Sequence, residues 1–250
     1  MMAPLLLGQG AYTRAVTPRL AEPQGPRAGR EGRGPVLRLL IAGDSAGAGV
    51  GVDDQREALS GRLVAALAPH FDLHWQLVAQ TGYTTLDLLE RLQREPAQPF
   101  DVVILSLGVN DVTGAVRTGT WLARQRRLVT LLQQRFGAKR VLISSVPPMH
   151  RMRALPQPLR WMLGSRARRF NADLAVAVAG WSGCELLSVA LPLDPESLAA
   201  DGFHPGWLAY QQWALQLAER VRSAFADESA YAPCDGFSAV VPACPIGRLP

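Results

Sequence analysis

Val36-Leu37-Arg38-Leu39-Leu40-Ile41-Ala42 runs directly into Gly43-Asp44-Ser45. A nearly continuous apolar run that stops at a glycine and two small polar residues describes a strand buried on both faces, ending in a turn. Four later runs have the same character: Leu73–Gln80, Val102–Leu107, Arg140–Ser145 and Glu185–Val189. Between them the period changes from strand to helix. Leu59, Leu63, Ala66 and Leu67 form one stripe in 55–68, and Trp121, Leu128, Leu132 and Phe136 form another in 121–136. Residues 159–179 and 206–225 repeat the pattern, the last through Trp207, Tyr210, Ala214, Ala218, Val221 and Phe225. Strands that alternate with helices through short connections demand right-handed crossovers. The expected fold class is therefore α/β, with three layers (α/β/α) around a five-stranded parallel sheet.

The flanks lack any such period. Residues 1–36 are rich in Pro, Gly and Arg and read as an irregular N-terminal arm; 37–225 form the folded domain; 226–250, with Pro233, Pro242, Pro245 and Pro250, read as an irregular tail. A chain of 250 residues suffices for one sizeable core, and 48% hydrophobic with 19% charged residues is a globular balance.

The net charge of +5 rests on 26 basic residues, of which only Lys139 is lysine. That skew fits a compositional bias toward arginine better than a nucleic-acid surface, and no zinc-finger, RNP-like or recognition-helix pattern accompanies it, so no nucleic-acid partner is expected. One cluster, Arg151, Arg153, Arg160, Arg166, Arg168 and Arg169, has no acid among residues 150–169. It reads as a solvated helix face or as a contact with an anionic membrane surface.

The cysteines, Cys184, Cys234 and Cys244, have no metal-ligand spacing; Cys184 falls in a strand as a small buried hydrophobe. Neither the opening Met-Met-Ala-Pro-Leu-Leu-Leu-Gly nor any later run has the make-up of a signal peptide or a membrane span, and the expected location is cytoplasmic.

The polar motifs gather where the strands end. Gly43-Asp44-Ser45 follows the first strand, Gly82 (in Thr81-Gly-Tyr-Thr-Thr85) the second, and Gly108-Val109-Asn110-Asp111 the third. In open parallel sheets the carboxyl ends of the strands form the ligand crevice. Asp201-Gly202-Phe203-His204-Pro205 precedes the last helix, and its spacing places a carboxylate beside an imidazole on one turn. Ser45 is then the hydroxyl for that imidazole to deprotonate, with Asp201 orienting His204. The backbone N–H groups of Ser45 and Gly82, with the side-chain amide of Asn110, supply donors for an oxyanion. Asp44 and Asp111 complete their blocks as supporting residues. Taken singly each motif has a plainer reading: a turn, a turn glycine, a cap, or a capping aspartate beside a surface histidine. All four in this order, at successive strand ends, point to serine chemistry.

These four blocks resemble those of the SGNH hydrolases, also called GDSL esterases and lipases, over residues 37 to about 225. The resemblance implies a flavodoxin-like fold, ester hydrolysis of a small acyl-ester substrate with the site residues named above, and no cofactor or metal. Two positions depart from the pattern: Ala46 stands where Leu often follows the serine, and Val109 lies between Gly108 and Asn110. Neither removes a catalytic group.

Gly43-Asp-Ser-Ala-Gly47 also fits the G-x-S-x-G elbow of α/β-hydrolases. There several strands precede the elbow and the acid lies far from the histidine, unlike here. The glycines fit neither G-x-G-x-x-G nor a P-loop. His70, His74 and His150 have no ligand spacing. The competing classes are a catalytically silent domain that binds acylated ligands, and a carbohydrate O-acetyl esterase or thioesterase on the same fold. In 146–163, Met149, Met152, Leu155 and Trp161 are expected to line an acyl pocket.

Overall fold

The computed structural model describes residues 3–188, 194 and 196–230, with the backbone alone for Ala3 and 226–230. The strands are β1 (Ala28–Glu31), β2 (Val36–Gly43), β3 (Asp72–Ala79), β4 (Val102–Ser106), β5 (Arg140–Ser144) and β6 (Cys184–Leu187). The helices are α1 (Ala3–Val16), α2 (Ser45–Ala48), α3 (Leu59–Leu67), α4 (Thr85–Arg94), α5 (Val109–Thr113), α6 (Thr118–Phe136), α7 (Leu159–Val178) and α8 (Trp207–Ala230).

The sheet order is β1-β3-β2-β4-β5-β6, and every pairing is parallel except β1 with β3. Without β1, the parallel strands follow the flavodoxin-like order 2-1-3-4-5. The chain therefore changes winding direction between β2 and β4, and that switch point opens the crevice.

Burial explains the apolar runs. β2 and β4 are flanked on both sides, and Leu39, Ile41, Val102 and Ile104 are fully buried. Alternate residues face opposite layers. Leu40, Val103 and Val141 pack with α4, α6 and α7, where Trp121 stacks on Phe170 at 4.5 Å between ring centroids. Leu39, Ile41 and Ile104 pack with α3 and α8 through Leu63, Tyr210 and Leu217. Register aligns the strand ends: Gly43 lies opposite Ala79 on one side and Ser106 on the other. Gly43 has no room for a side chain, because a Cβ there would sit 2.4 Å from the Ser106 carbonyl oxygen.

The five expected parallel strands form the sheet, and the exposed β1 adds a sixth, antiparallel strand at its edge. Two expectations need correction. The N-terminal 36 residues are not wholly irregular: they hold α1 and β1, and Gln9 of α1 accepts from Leu159 N (3.1 Å) at the start of α7. The last helix continues to Ala230, into the span assigned to the tail. Residues 231–250, including Cys234 and Cys244, lie outside the described residues. Among the described residues no helix is long and apolar enough to cross a membrane.

Candidate active site

Ser45 opens α2 directly after β2, and Asp44 is the residue that turns strand into helix. Its carboxylate accepts from Ala46 N at 3.1 Å as the N-cap. Asp201 and His204 arrive from the segment before α8. Asp201 Oδ1 accepts from two backbone N–H groups, Phe203 N (2.9 Å) and His204 N (3.0 Å). Its Oδ2 lies 2.5 Å from His204 Nδ1, and His204 Nε2 lies 2.9 Å from Ser45 Oγ. The structure thus brings together a hydroxyl and an imidazole 159 residues apart in the chain. A proton on Nδ1, donated to the carboxylate, leaves Nε2 as acceptor for the serine hydroxyl. In that state the ring can take the hydroxyl proton as the oxygen attacks a carbonyl carbon.

Two opposing effects act on Asp201. Burial raises its pKa, yet the hydrogen bonds from the His204 ring and from the His204 and Phe203 N–H groups outweigh it and hold the carboxyl below its ordinary value.

Gly82 stands on the turn after β3 and Asn110 in α5 just after β4, either side of β2. Gly82 is exposed and has φ +87°, a conformation that side chains disfavour, although the space around it is open. Asn110 Nδ2 donates one bond to Tyr83 O (2.9 Å), leaving its second N–H for another acceptor. Neither the Ser45 N–H nor the Gly82 N–H meets an acceptor among the described residues.

Asp111 binds these turns together from below. Fully buried, it accepts from Thr85 N (3.0 Å) and Thr85 Oγ1 (2.9 Å), while Trp121 Nε1 and Gln125 Nε2 donate to the same hydroxyl oxygen. Burial pushes the Asp111 carboxyl up despite these bonds. Its place is structural: it joins the start of α4 to α5. Arg166, from the arginine-rich segment, adds bonds to Val112 O and Val116 O, which gives one of those arginines a structural role.

Beside Ser45 and His204 lies a cavity of about 60 Å³ whose walls include Leu107, Val109, Met152, Leu198 and Trp213. Of the pocket residues expected from 146–163, only Met152 reaches it. Met149 and Leu155 are buried in the core, and Trp161 is 60% exposed. Trp213 and Thr85 escaped sequence reading because each looks like an ordinary member of a helix stripe or cap. Among the described residues, no three metal-binding side chains cluster.

The buried Asp44 makes a pH prediction. Burial lifts its pKa from 3.8 to about 7, against the opposing pull of the Ala46 N–H. A carboxyl raised on folding binds its proton more tightly in the native state, so its contribution to stability falls as pH rises from about 4 to about 7. Asp44→Asn keeps a capping side chain and removes the titration. Urea titrations should show wild type losing stability relative to Asp44→Asn across that window, by at most about 1.4 kcal/mol per pH unit. A constant difference refutes the assignment.

At the switch point of this doubly wound sheet a serine hydroxyl, an imidazole and a carboxylate stand in hydrogen-bonded series. The chain belongs to the GDSL-like lipase/acylhydrolase family, whose model matches residues 41–212. It is 27% identical to a GDSL-like esterase of Mycobacterium tuberculosis, over 90% of this chain and 78% of that protein.

Solved structures share the fold. A lipolytic G-D-S-L family protein of Veillonella parvula superposes with a TM-score of 0.60 at 13% identity, covering 75% of this chain and 99% of that one. An acetylxylan esterase of Geobacillus stearothermophilus gives 0.55 at 19% identity (75% and 95%). A carbohydrate acetylesterase of Sinorhizobium meliloti gives 0.55 at 18% identity (76% and 100%).

Proposed function

We propose that this esterase cleaves carboxylic esters of short acyl groups through an acyl-enzyme on Ser45. One observation carries the reading: the series from Ser45 Oγ to His204 Nε2, at 2.9 Å, and from His204 Nδ1 to Asp201 Oδ2, at 2.5 Å. His204 takes the Ser45 proton while Oγ bonds to the ester carbon, and the carbonyl π pair moves to oxygen. That oxyanion is met by the N–H groups of Ser45 and Gly82 and the free amide N–H of Asn110. Collapse of the adduct breaks the bond to the alkoxide, which leaves with the His204 proton. Water, deprotonated by the same ring, then releases the acid and restores Ser45. Asp201 holds the ring in the tautomer this sequence needs.

The cavity argues for a short acyl chain. Its volume of about 60 Å³ is less than half the roughly 150 Å³ that accommodates benzene, and its walls are mainly apolar. Rates against p-nitrophenyl acetate, butyrate and octanoate test this. We expect kcat/KM to drop by about tenfold or more between butyrate and octanoate, through loss of fit. A flat or rising series refutes the short-acyl assignment.

A second reading keeps the chemistry and makes the substrate an O-acetylated carbohydrate. The small cavity favours it, as do the carbohydrate esterases among the structures that share the fold. Acetate release from acetylated xylooligosaccharides, compared with simple acetate esters, separates the two.

A further inference from the structure

The turn that carries Gly82 is gripped from two directions. On its far side the grip comes from the Gly108–Asp111 block: Asn110 donates to Tyr83 O, and Asp111 accepts from Thr85 N and Oγ1. On its near side the grip comes from Glu22, between α1 and β1 and outside the 41–212 family match. Glu22 Oε1 accepts from Thr81 N at 2.6 Å and from Thr81 Oγ1 at 2.9 Å, so both donors of the residue before Gly82 end on one carboxylate oxygen. The other oxygen, Oε2, accepts from Arg27 Nη1 at 3.0 Å.

Arg27 is itself fixed to the same stretch of chain. Its Nη2 donates to Ala79 O at the end of β3, and its own carbonyl accepts from Leu77 N at 2.7 Å. Glu22 and Arg27 thus hold the chain at Leu77, Ala79 and Thr81.

The need for such a grip follows from Gly82 itself. The residue is exposed and nothing lies within 4 Å of where its Cβ would be, so packing does not fix its peptide. Glycine is also the residue with most backbone freedom to lose. Within the turn the Tyr83 N–H donates to Gln80 O at 3.2 Å, and beyond that bond the direction of the Gly82 N–H is set by the hydrogen bonds on either side of it. Charge-assisted bonds to a carboxylate are the stronger kind for this purpose.

We propose that Glu22, steadied by Arg27, is a positioning residue for the Gly82 N–H, so that the N-terminal segment completes the oxyanion site. This rests on the oxyanion role given to Gly82 above. An exposed glycine held on one side only would sample directions away from the developing oxyanion, and preorganisation of that donor is what accelerates turnover.

The test is steady-state kinetics on p-nitrophenyl acetate with the full chain and its Glu22→Ala, Glu22→Gln and Ser45→Ala variants, each checked for folding by circular dichroism. Outright loss of one oxyanion donor slows turnover by roughly 10² to 10³. A loosened donor should cost less, and Glu22→Ala is expected to lower kcat by about 10- to 100-fold. Because the donor acts on the adduct rather than on the bound ester, KM should stay within about twofold. Glu22→Gln keeps an acceptor for the Thr81 N–H but turns its amide nitrogen toward the Arg27 Nη1 donor, so its kcat should fall between those of wild type and Glu22→Ala.

Wild-type kcat in Glu22→Ala, or a rise in KM alone, overturns the proposal. If Glu22→Ala does not fold, Glu22→Asp, which withdraws the carboxylate by one methylene, takes its place: a lower kcat at constant KM supports the proposal and a wild-type kcat overturns it. Ser45→Ala keeps the two failures apart. Persistent activity in that variant defeats the acyl-enzyme mechanism; its loss beside an unimpaired Glu22→Ala defeats only the role of Glu22.

Discussion

Ser45→Ala is expected to lower kcat for p-nitrophenyl acetate by at least about 10⁴-fold while leaving the unfolding midpoint unchanged. The size follows from what the hydroxyl does. Without Oγ no acyl-enzyme forms, and the remaining groups act only by binding the ester and polarising its carbonyl. The unchanged stability follows from what the hydroxyl touches: Oγ bonds only to the His204 ring among the described residues. Alanine keeps the backbone N–H at position 45 and suits the helix that begins there. A fluorophosphonate probe supplies a second readout, since only an activated serine reacts with it. Labelling of wild type and none of Ser45→Ala are the expected outcomes. An unlabelled wild type that still binds acylated ligands identifies a catalytically silent domain. Turnover in Ser45→Ala within tenfold of wild type refutes the nucleophile.

The sequence announced the five parallel strands because burial on both faces leaves no freedom for polar residues. Leu39 to Ala42 and Val102 to Leu105 are essentially buried throughout, and they read as continuous apolar runs. β1 left no such trace. Ala28, Gly29, Arg30 and Glu31 are all exposed, and the strand exists because its backbone pairs with β3 and Arg30 pairs with Asp72. α1 is equally silent: Leu5, Leu7, Tyr12 and Val16 remain exposed, so no apolar stripe marks a buried face.

α4 is a different case. Thr84 and Asp87 form a reciprocal capping box, followed by buried Leu88, Leu89 and Leu92. That signal is written in the sequence as Thr84-x-x-Asp87 ahead of an apolar run.

The same contrast runs through the site. Ser45 was legible because it follows a strand end, and Asp201 and His204 because their three-residue spacing ahead of the last helix suits a carboxylate–imidazole pair. Glu22 was not, because one glutamate in a Pro- and Gly-rich stretch carries no period and its partner is a backbone N–H 59 residues away. Asp111 was legible as a motif member, but its attachment to Thr85 depends on how two turns pack, which spacing alone does not reveal.

Asp201→Asn should lower kcat by roughly 10⁴-fold in a protein that remains folded. The geometry dictates why. Two backbone N–H groups, those of Phe203 and His204, converge on Oδ1, so the amide oxygen of an asparagine must take that place. The amide nitrogen then occupies the position of Oδ2, 2.5 Å from His204 Nδ1 in the wild type. Two donors cannot face each other, and the ring proton is driven from Nδ1 to Nε2. Nε2–H then donates to Ser45 Oγ instead of accepting from it, and the hydroxyl keeps its proton through the attack.

Stability should respond differently from rate. The Asp201 carboxyl is held below its ordinary value by these bonds, so its contribution is present above pH about 3.8 and is lost as pH falls through the native pKa. The variant should therefore be less stable than wild type at neutral pH, with the two converging in acid. Circular dichroism across that range, with kcat at neutral pH, checks both halves. An Asp201→Asn enzyme within tenfold of wild-type kcat would show that the carboxylate does not govern the His204 tautomer, and the base proposed for Ser45 would have to be sought elsewhere.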